Sequence, residues 1–210
     1  MVSNNQETEN IMKTGRRKFM FSMLAAGAVL GGSALAGALF PRKAAAAATG
    51  RNRTVILYYS WSGNTKTIAA QIHRNVGGDL IELELVRPYS STYNTCVEEA
   101  KRDQANQARP ELKTRIADFK QYDTVFMGYP NWWGSFPMPI ATLLESYEFS
   151  GKTILPFCSH GGGGLGRSVA DIARLAPRAA IKEALAVHYG GGDSLPRDID
   201  AWLRKNGVDA

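Results

Sequence analysis

Three short stretches of this chain are almost wholly apolar: Thr54–Tyr59 (TVILYY), Thr124–Gly128 (TVFMG) and Lys152–Cys158 (KTILPFC). A strand with one face in water alternates apolar and polar residues, whereas a strand covered on both faces reads as a continuous apolar run. These runs are too short for core helices, and helical spacing follows each of them. Ile68, Ala69, Ile72 and Val76 mark a helix over Thr65–Val76, and Pro139–Tyr147, Arg167–Leu175 and Arg197–Lys205 read as three more. Asp79–Val86 (DLIELELV) alternates and reads as a half-exposed edge strand, with Glu183–Tyr189 as the last strand. Residues 87–95 read as loop, Cys96–Ala108 as a polar helix, and Pro110–Tyr122 as holding a further helical turn or two. Five strands alternating with helices predict a parallel sheet with helices on both faces. Right-handed crossovers then make a three-layer α/β sandwich.

That sandwich accounts for residues 49–210. The first 48 residues read as an export signal instead. Of 25 basic and 19 acidic side chains in the chain, six basic (Lys13, Arg16, Arg17, Lys18, Arg42, Lys43) and two acidic (Glu7, Glu9) lie there, leaving 19 and 17. The positive charge therefore belongs mostly to this segment, which weakens any reading of the domain as a nucleic-acid binder. A polar stretch leads to Arg16-Arg17-Lys18-Phe19-Met20, then to an uncharged run Phe21–Phe40 and the alanines Ala44–Ala48. Charged, apolar and small-residue parts in that order define an export signal. The paired arginines, together with an apolar run diluted by Gly27, Gly31, Gly32 and Gly37, resemble the twin-arginine type. About 20 apolar residues also suffice for a retained transmembrane anchor, so both readings stand, with cleavage expected after Ala46, Ala47 or Ala48.

Ligands of an open parallel sheet bind beyond the carboxyl ends of its strands, at the switch in strand order. Three loops there are unusual. Ser60-Trp61-Ser62-Gly63-Asn64-Thr65 sets three hydroxyls, a glycine and an asparagine before a helix, with no carboxylate. Free amides and hydroxyls at a helix start cradle phosphate; one such residue would suffice for a cap. The loop Tyr129–Pro137 (YPNWWGSFP) holds Trp132 and Trp133, which suit stacking on a flat aromatic ligand. Alternatively one tryptophan plugs the core and the other covers a helix. The loop Ser159–Gly166 (SHGGGGLG) carries five glycines, as needed where backbone approaches a ligand or turns through positive φ.

Other patterns carry less. Gly161-x-Gly163-x-x-Gly166 fits a dinucleotide fingerprint but follows the fourth strand instead of the first. Gly166-Arg167-Ser168 has arginine where a Walker A loop needs lysine. Two cysteines and three histidines without HxxxH spacing argue against a zinc, iron–sulfur or disulfide scaffold. Pairing of Cys96 with Cys158 is not expected. His73 and His188 read as structural or surface residues, Tyr89 and Tyr93 as packing residues, and Lys66 as pointing to water.

The first loop closely resembles the phosphate loop of flavodoxins, (S/T)-x-(S/T)-G-N-T. The wider pattern resembles a branch of flavodoxin-like proteins through Tyr58–Thr65, Arg109-Pro110-Glu111, Tyr122-Asp123, Gly128–Gly134 and Ser150-Gly151-Lys152, spanning residues 53–206. This resemblance implies the strand order 2-1-3-4-5, of the short-chain type, with FMN at the switch point. It further implies that FMN phosphate rests on Ser60, Ser62, Gly63, Asn64 and Thr65, with Trp61 of the same loop also binding the cofactor. The flavin ring is then expected against Pro130, Asn131, Trp132, Trp133 and Gly134 and against Ser159, His160, Gly161 and Gly162, with Trp133 as its stacking partner. Backbone at Trp133-Gly134 is expected to hydrogen-bond flavin N5. Flavodoxins usually cover the ring with an aromatic from each later loop, but the third loop here offers only His160 and glycines. The expected function is an exported FMN protein acting in electron transfer with a redox protein or small acceptor. An FMN-dependent NAD(P)H or quinone oxidoreductase with an open flavin face is the alternative.

Overall fold

The structure is a computed structural model and describes residues 53–208. The proposed signal, residues 1–48, lies outside the described residues.

The apolar runs are strands as predicted: β1 (Thr54–Tyr58), β3 (Thr124–Pro130) and β4 (Thr153–His160). Alternate residues of β1 serve opposite layers. Val55 and Leu57 belong to a core shared with Ile140, Leu143 and Ile172, while Ile56 and Tyr58 pack with Ile68, Ile72, Ile199 and Trp202. Two cores back to back explain why these strands show no polar alternation. Helices α1 (Asn64–Val76) and α5 (Leu195–Lys205) supply the second core; α3 (Met138–Ser146) and α4 (Ser168–Leu175) supply the first.

All ladders are parallel. Strand β2 (Asp79–Glu82) pairs with β1, β1 with β3, and β3 with β4, giving the order 2-1-3-4-5. The fifth position departs from the single strand expected. It is filled by β5 (Ala180–Ile181) and β6 (Leu185–His188), both paired to β4. Residues 182–184 interrupt it: the Lys182 N–H still donates to Ile154 O at 2.9 Å, whereas Glu183 donates its N–H to Asn206 Oδ1 at 3.1 Å and accepts from Trp202 Nε1 at 2.7 Å through its carbonyl. The C-terminal helix thus takes over backbone groups that a continuous strand would give to the ladder.

Helix α2 (Tyr93–Ala105) starts three residues earlier than predicted. Pro110–Tyr122 holds only a single 3₁₀ turn, Phe119–Gln121, because its earlier part pairs Leu112 with Leu85 instead. Among the described residues no helix is long and apolar enough to cross a membrane.

Candidate functional site

The loop from β1 into α1 has the form an anion needs. Gly63 sits at φ 89°, a conformation that side chains avoid, and a Cβ there would meet nothing within 4 Å, so the space above it is open. The first turn of α1 has no acidic residue and no side-chain cap. Ser62, Gly63, Asn64 and Thr65 have N–H groups without a protein acceptor among the described residues. Hydroxyls around them are already oriented: Lys66 N–H donates to Ser60 Oγ at 3.3 Å, and Asn64 Nδ2 to Ser62 Oγ at 3.1 Å. Thr65 is the exception, since its buried hydroxyl lies 2.8 Å from Ser159 Oγ, leaving only its amide for an anion. Ser159 is therefore a buried tie between loops. The Lys66 ammonium pairs with Glu82 at 2.8 Å, and that bond holds its pKa above the usual lysine range.

Beyond β3 the chain makes a tight turn closed by Trp132 N–H to Ser135 O (2.8 Å) and Ser135 N–H to Trp132 O (3.1 Å). Trp133 and Gly134 at its tip have φ of 52° and 77°. Two left-handed residues form the turn that normally selects Asn-Gly, and a bulky side chain there costs about 1–2 kcal/mol. The two indoles diverge. Trp132 packs edge-on against Tyr59 (5.7 Å) and Tyr89 (5.3 Å) and plugs the core. Trp133 stays 45% exposed, with its Nε1 donating to Val97 O at 3.3 Å and the Lys101 ammonium 5.2 Å above its ring. Of the two, Trp133 keeps ring surface for a flat ligand, while Trp132 serves packing.

Asn131 binds the β3 and β4 loops together. Its Nδ2 donates to Gly164 O at 2.6 Å, its Oδ1 accepts from Gly134 N–H at 3.1 Å, and its own N–H donates to Ser159 O at 2.7 Å. Arg167 N–H donates to Gly134 O at 2.8 Å. Gly166, at φ 53°, must be glycine, because a Cβ would overlap the same carbonyl. Asn131 takes the Gly134 N–H, while the neighbouring Trp133 N–H has no protein acceptor among the described residues. Pro130 ends β3 beside Ser159 in register, and Gly161 and Gly162 are exposed. Gly162 N–H donates to His160 Nδ1 at 3.0 Å, which places the ring proton on Nε2. Burial, and then the neighbouring His188, pull the His160 pKa below its ordinary value.

A fourth loop joins the site, and reading the sequence missed it. His188 pairs in register with His160, their rings 5.7 Å apart. Tyr189, at φ 50° and 56% exposed, packs on His188 at 4.5 Å, and a Cβ on Gly161 would lie 3.4 Å from its hydroxyl. Gly190 lies against Asn64: a Cβ there would be 3.5 Å from Asn64 Oδ1. The end of β6 thus places an aromatic, Tyr189, beside the glycines of the β4 loop. One signal was present: Tyr189 followed by Gly190, Gly191 and Gly192 repeats the aromatic-plus-glycine composition of the other loops at a strand end. Cys96 and Cys158 are buried and free, as expected; burial pushes their thiols up to about 11 and about 12. Among the described residues no group of three or more His, Cys, Asp or Glu could hold a metal ion.

An open, doubly wound sheet whose anion loop sits at the β1/β3 switch point defines a nucleotide-binding α/β protein. More narrowly, the chain belongs to the flavodoxin family, whose profile matches residues 53–205. It is similar to the crystal structure of a Bacteroides eggerthii protein assigned as a flavoprotein, at 29% identity and a TM-score of 0.68, covering 76% of this chain and 100% of that one. A Lactobacillus acidophilus flavoprotein solved in complex with FMN is 25% identical, with a TM-score of 0.59, over 72% of this chain and 99% of that one. Oxidised flavodoxin 2 from Bacillus cereus, 20% identical with a TM-score of 0.51 over 74% and 97% of the two chains, shares the fold. None of the curated proteins matches the chain significantly.

Proposed function

We propose that this chain is an exported flavodoxin that binds FMN without a covalent bond and passes electrons between a donor and a redox protein or small acceptor. The observation that carries the reading is the β1 loop: four unpartnered amides, oriented hydroxyls, an open left-handed glycine and no carboxylate. That chemistry fits a terminal phosphate, and the FMN complex of the Lactobacillus acidophilus relative supports the same choice. FMN supplies the redox chemistry when bound. The protein binds and orients it: Ser62–Thr65 hold the phosphate, Trp133 offers a ring face, and Asn131 keeps the β3 and β4 loops in place. His160 and Tyr189 border the ring side, and His160 presents an Nε2 proton.

A second reading, an FMN-dependent NAD(P)H or quinone oxidoreductase, draws on Gly161 and Gly162, whose exposed backbone leaves one approach without a covering side chain. An absorbance spectrum of the purified chain tests the first point: flavin bands with one FMN per chain support it, and a colourless protein that takes up no FMN overturns it. Steady-state oxidation of NAD(P)H with a quinone acceptor separates the enzyme from the carrier. Export rests on Arg16-Arg17 and the alanines Ala44–Ala48, which favour a cleaved twin-arginine signal and a periplasmic location over a retained anchor.

A further inference from the structure

A cavity of about 230 Å³ opens between α2 and the β1 and β3 loops, with walls from Trp61, Tyr93, Val97, Ala100, Trp132 and Trp133. Its three indole walls are held in place by other contacts. Trp61 Nε1 donates to Ser90 O at 2.9 Å, Trp133 Nε1 to Val97 O at 3.3 Å, and Trp132 is wedged by Tyr59 and Tyr89. Anchored indoles present their faces without needing to rearrange, so the cavity is formed before anything enters it.

No charged side chain lines this space. Asn131 reaches it, but its amide is engaged by Gly134 and Gly164. The Cys96 thiol also borders it, and burial keeps that thiol protonated, with a pKa pushed up to about 11. An ion entering here would lose its hydration with no charged wall residue to compensate it; the Lys101 ammonium lies 5.2 Å above the Trp133 ring and does not line the cavity. The contrast is a larger cleft of about 420 Å³ nearby, which carries Arg87, Arg102 and Arg109 with Glu99, Asp103 and Glu111.

Size narrows the occupant further. A dry apolar cavity of about 150 Å³ accepts benzene, so this one has room for a second fused ring. Tyr93 and Trp133 flank it at 67% and 45% exposure, an exposed apolar rim of the kind that marks a binding site. Trp133 is also held in a costly backbone conformation, which persists where surrounding structure enforces it and often accompanies function. Trp61 belongs to the anion loop and Trp133 to the turn assigned to the flavin ring, so the cavity shares walls with the cofactor site.

We infer that this cavity binds a neutral, planar aromatic molecule of one or two fused rings, a class that includes the quinones, alongside the flavin. This rests on the flavin reading above. The test titrates FMN-loaded protein with 1-naphthol and with 1-naphthalenesulfonate, following tryptophan fluorescence and equilibrium dialysis. One 1-naphthol per chain is expected, with the sulfonate at least about tenfold weaker. Val97→Phe and Ala100→Phe fill the cavity and should each weaken 1-naphthol at least about tenfold, with FMN affinity unchanged. Absence of 1-naphthol binding, equal affinity for the sulfonate, or unaltered binding in folded filled variants would overturn the inference. So would a parallel loss of FMN, which would make the cavity part of the flavin's own slot. The comparison of the two probes on the unaltered chain decides the matter even where a filled variant does not fold. A chain that binds no FMN at all instead removes the reading on which the inference rests.

Discussion

Single residues decide the charge and polarity of this site. Ser62 lies on the exposed side of the anion loop, so Ser62→Asp should place a carboxylate against the FMN phosphate. Two like charges about 4 Å apart at an effective dielectric of about 20 cost about 4 kcal/mol, so FMN affinity should fall by up to about a thousandfold while riboflavin, without the phosphate, is unaffected. Fluorimetric titration with both ligands checks this; equal losses would remove the phosphate assignment. His160 makes a pH prediction. Its folded pKa is lowered by burial and by His188, so the unfolded chain binds the proton first as pH falls below about 6.5. The stability from keeping this ring neutral is complete above that pH and is lost as pH falls through the folded pKa. Protonation would also abolish the acceptor that Gly162 N–H uses. Denaturant midpoints measured from neutral to acid pH should show this slope, and His160→Gln should lack it; identical slopes would count against the residue.

At the level of elements, the β3 and β4 loops are one unit. Asn131 supplies both a donor and an acceptor between them, and Gly166 allows their backbones to touch. Asn131→Ala strands the Gly134 N–H and the Gly164 carbonyl, at a cost of about 1–3 kcal/mol. For a domain of this size each kcal/mol lowers Tm by about 2–4 °C. FMN affinity should fall as well if the ring binds between these loops, as proposed. Asn131→Asp keeps the acceptor and should land between wild type and alanine. If Asn131→Ala changes neither Tm nor FMN affinity, the two loops are independent.

The whole molecule places its anion loop, aromatic turn, glycine loop and β6 end far apart in sequence and together only in the folded domain. FMN therefore binds the native state alone. At a free concentration about 100 times its Kd it should add about 2.7 kcal/mol of stability, seen as a Tm that climbs with FMN and not with riboflavin to the same degree. A Tm independent of FMN would show that no folded site exists. The same coupling bears on export: a cofactor held only by tertiary structure crosses a membrane bound only when the protein crosses folded. Arg16→Lys with Arg17→Lys preserves charge and should leave FMN-loaded chain in the cytoplasm, as judged by fractionation. Periplasmic delivery of the loaded double variant would reduce residues 16–18 to an ordinary basic segment.

Much of this was legible in the sequence, for identifiable reasons. Continuous apolar runs reveal strands buried on both faces, since each residue has to satisfy one of two cores, as Val55 and Ile56 do. The anion loop is contiguous, so its hydroxyls, Gly63 and lack of carboxylates can be read from six successive residues. Tertiary structure decided what depends on distant chain segments. Pattern alone could not divide the labour of Trp132 and Trp133, because the turn at Trp133-Gly134 sends one indole into the core and the other onto α2. It could not bring His188 and Tyr189 to the site either, because that follows from β6 lying in register beside β4. The interruption at Glu183 was equally hidden, since the groups that replace its ladder bonds, from Trp202 and Asn206, come from α5 and its end. Local composition determines what each segment can form; which side chains meet is set by the pairing of strands and the packing of helices against them.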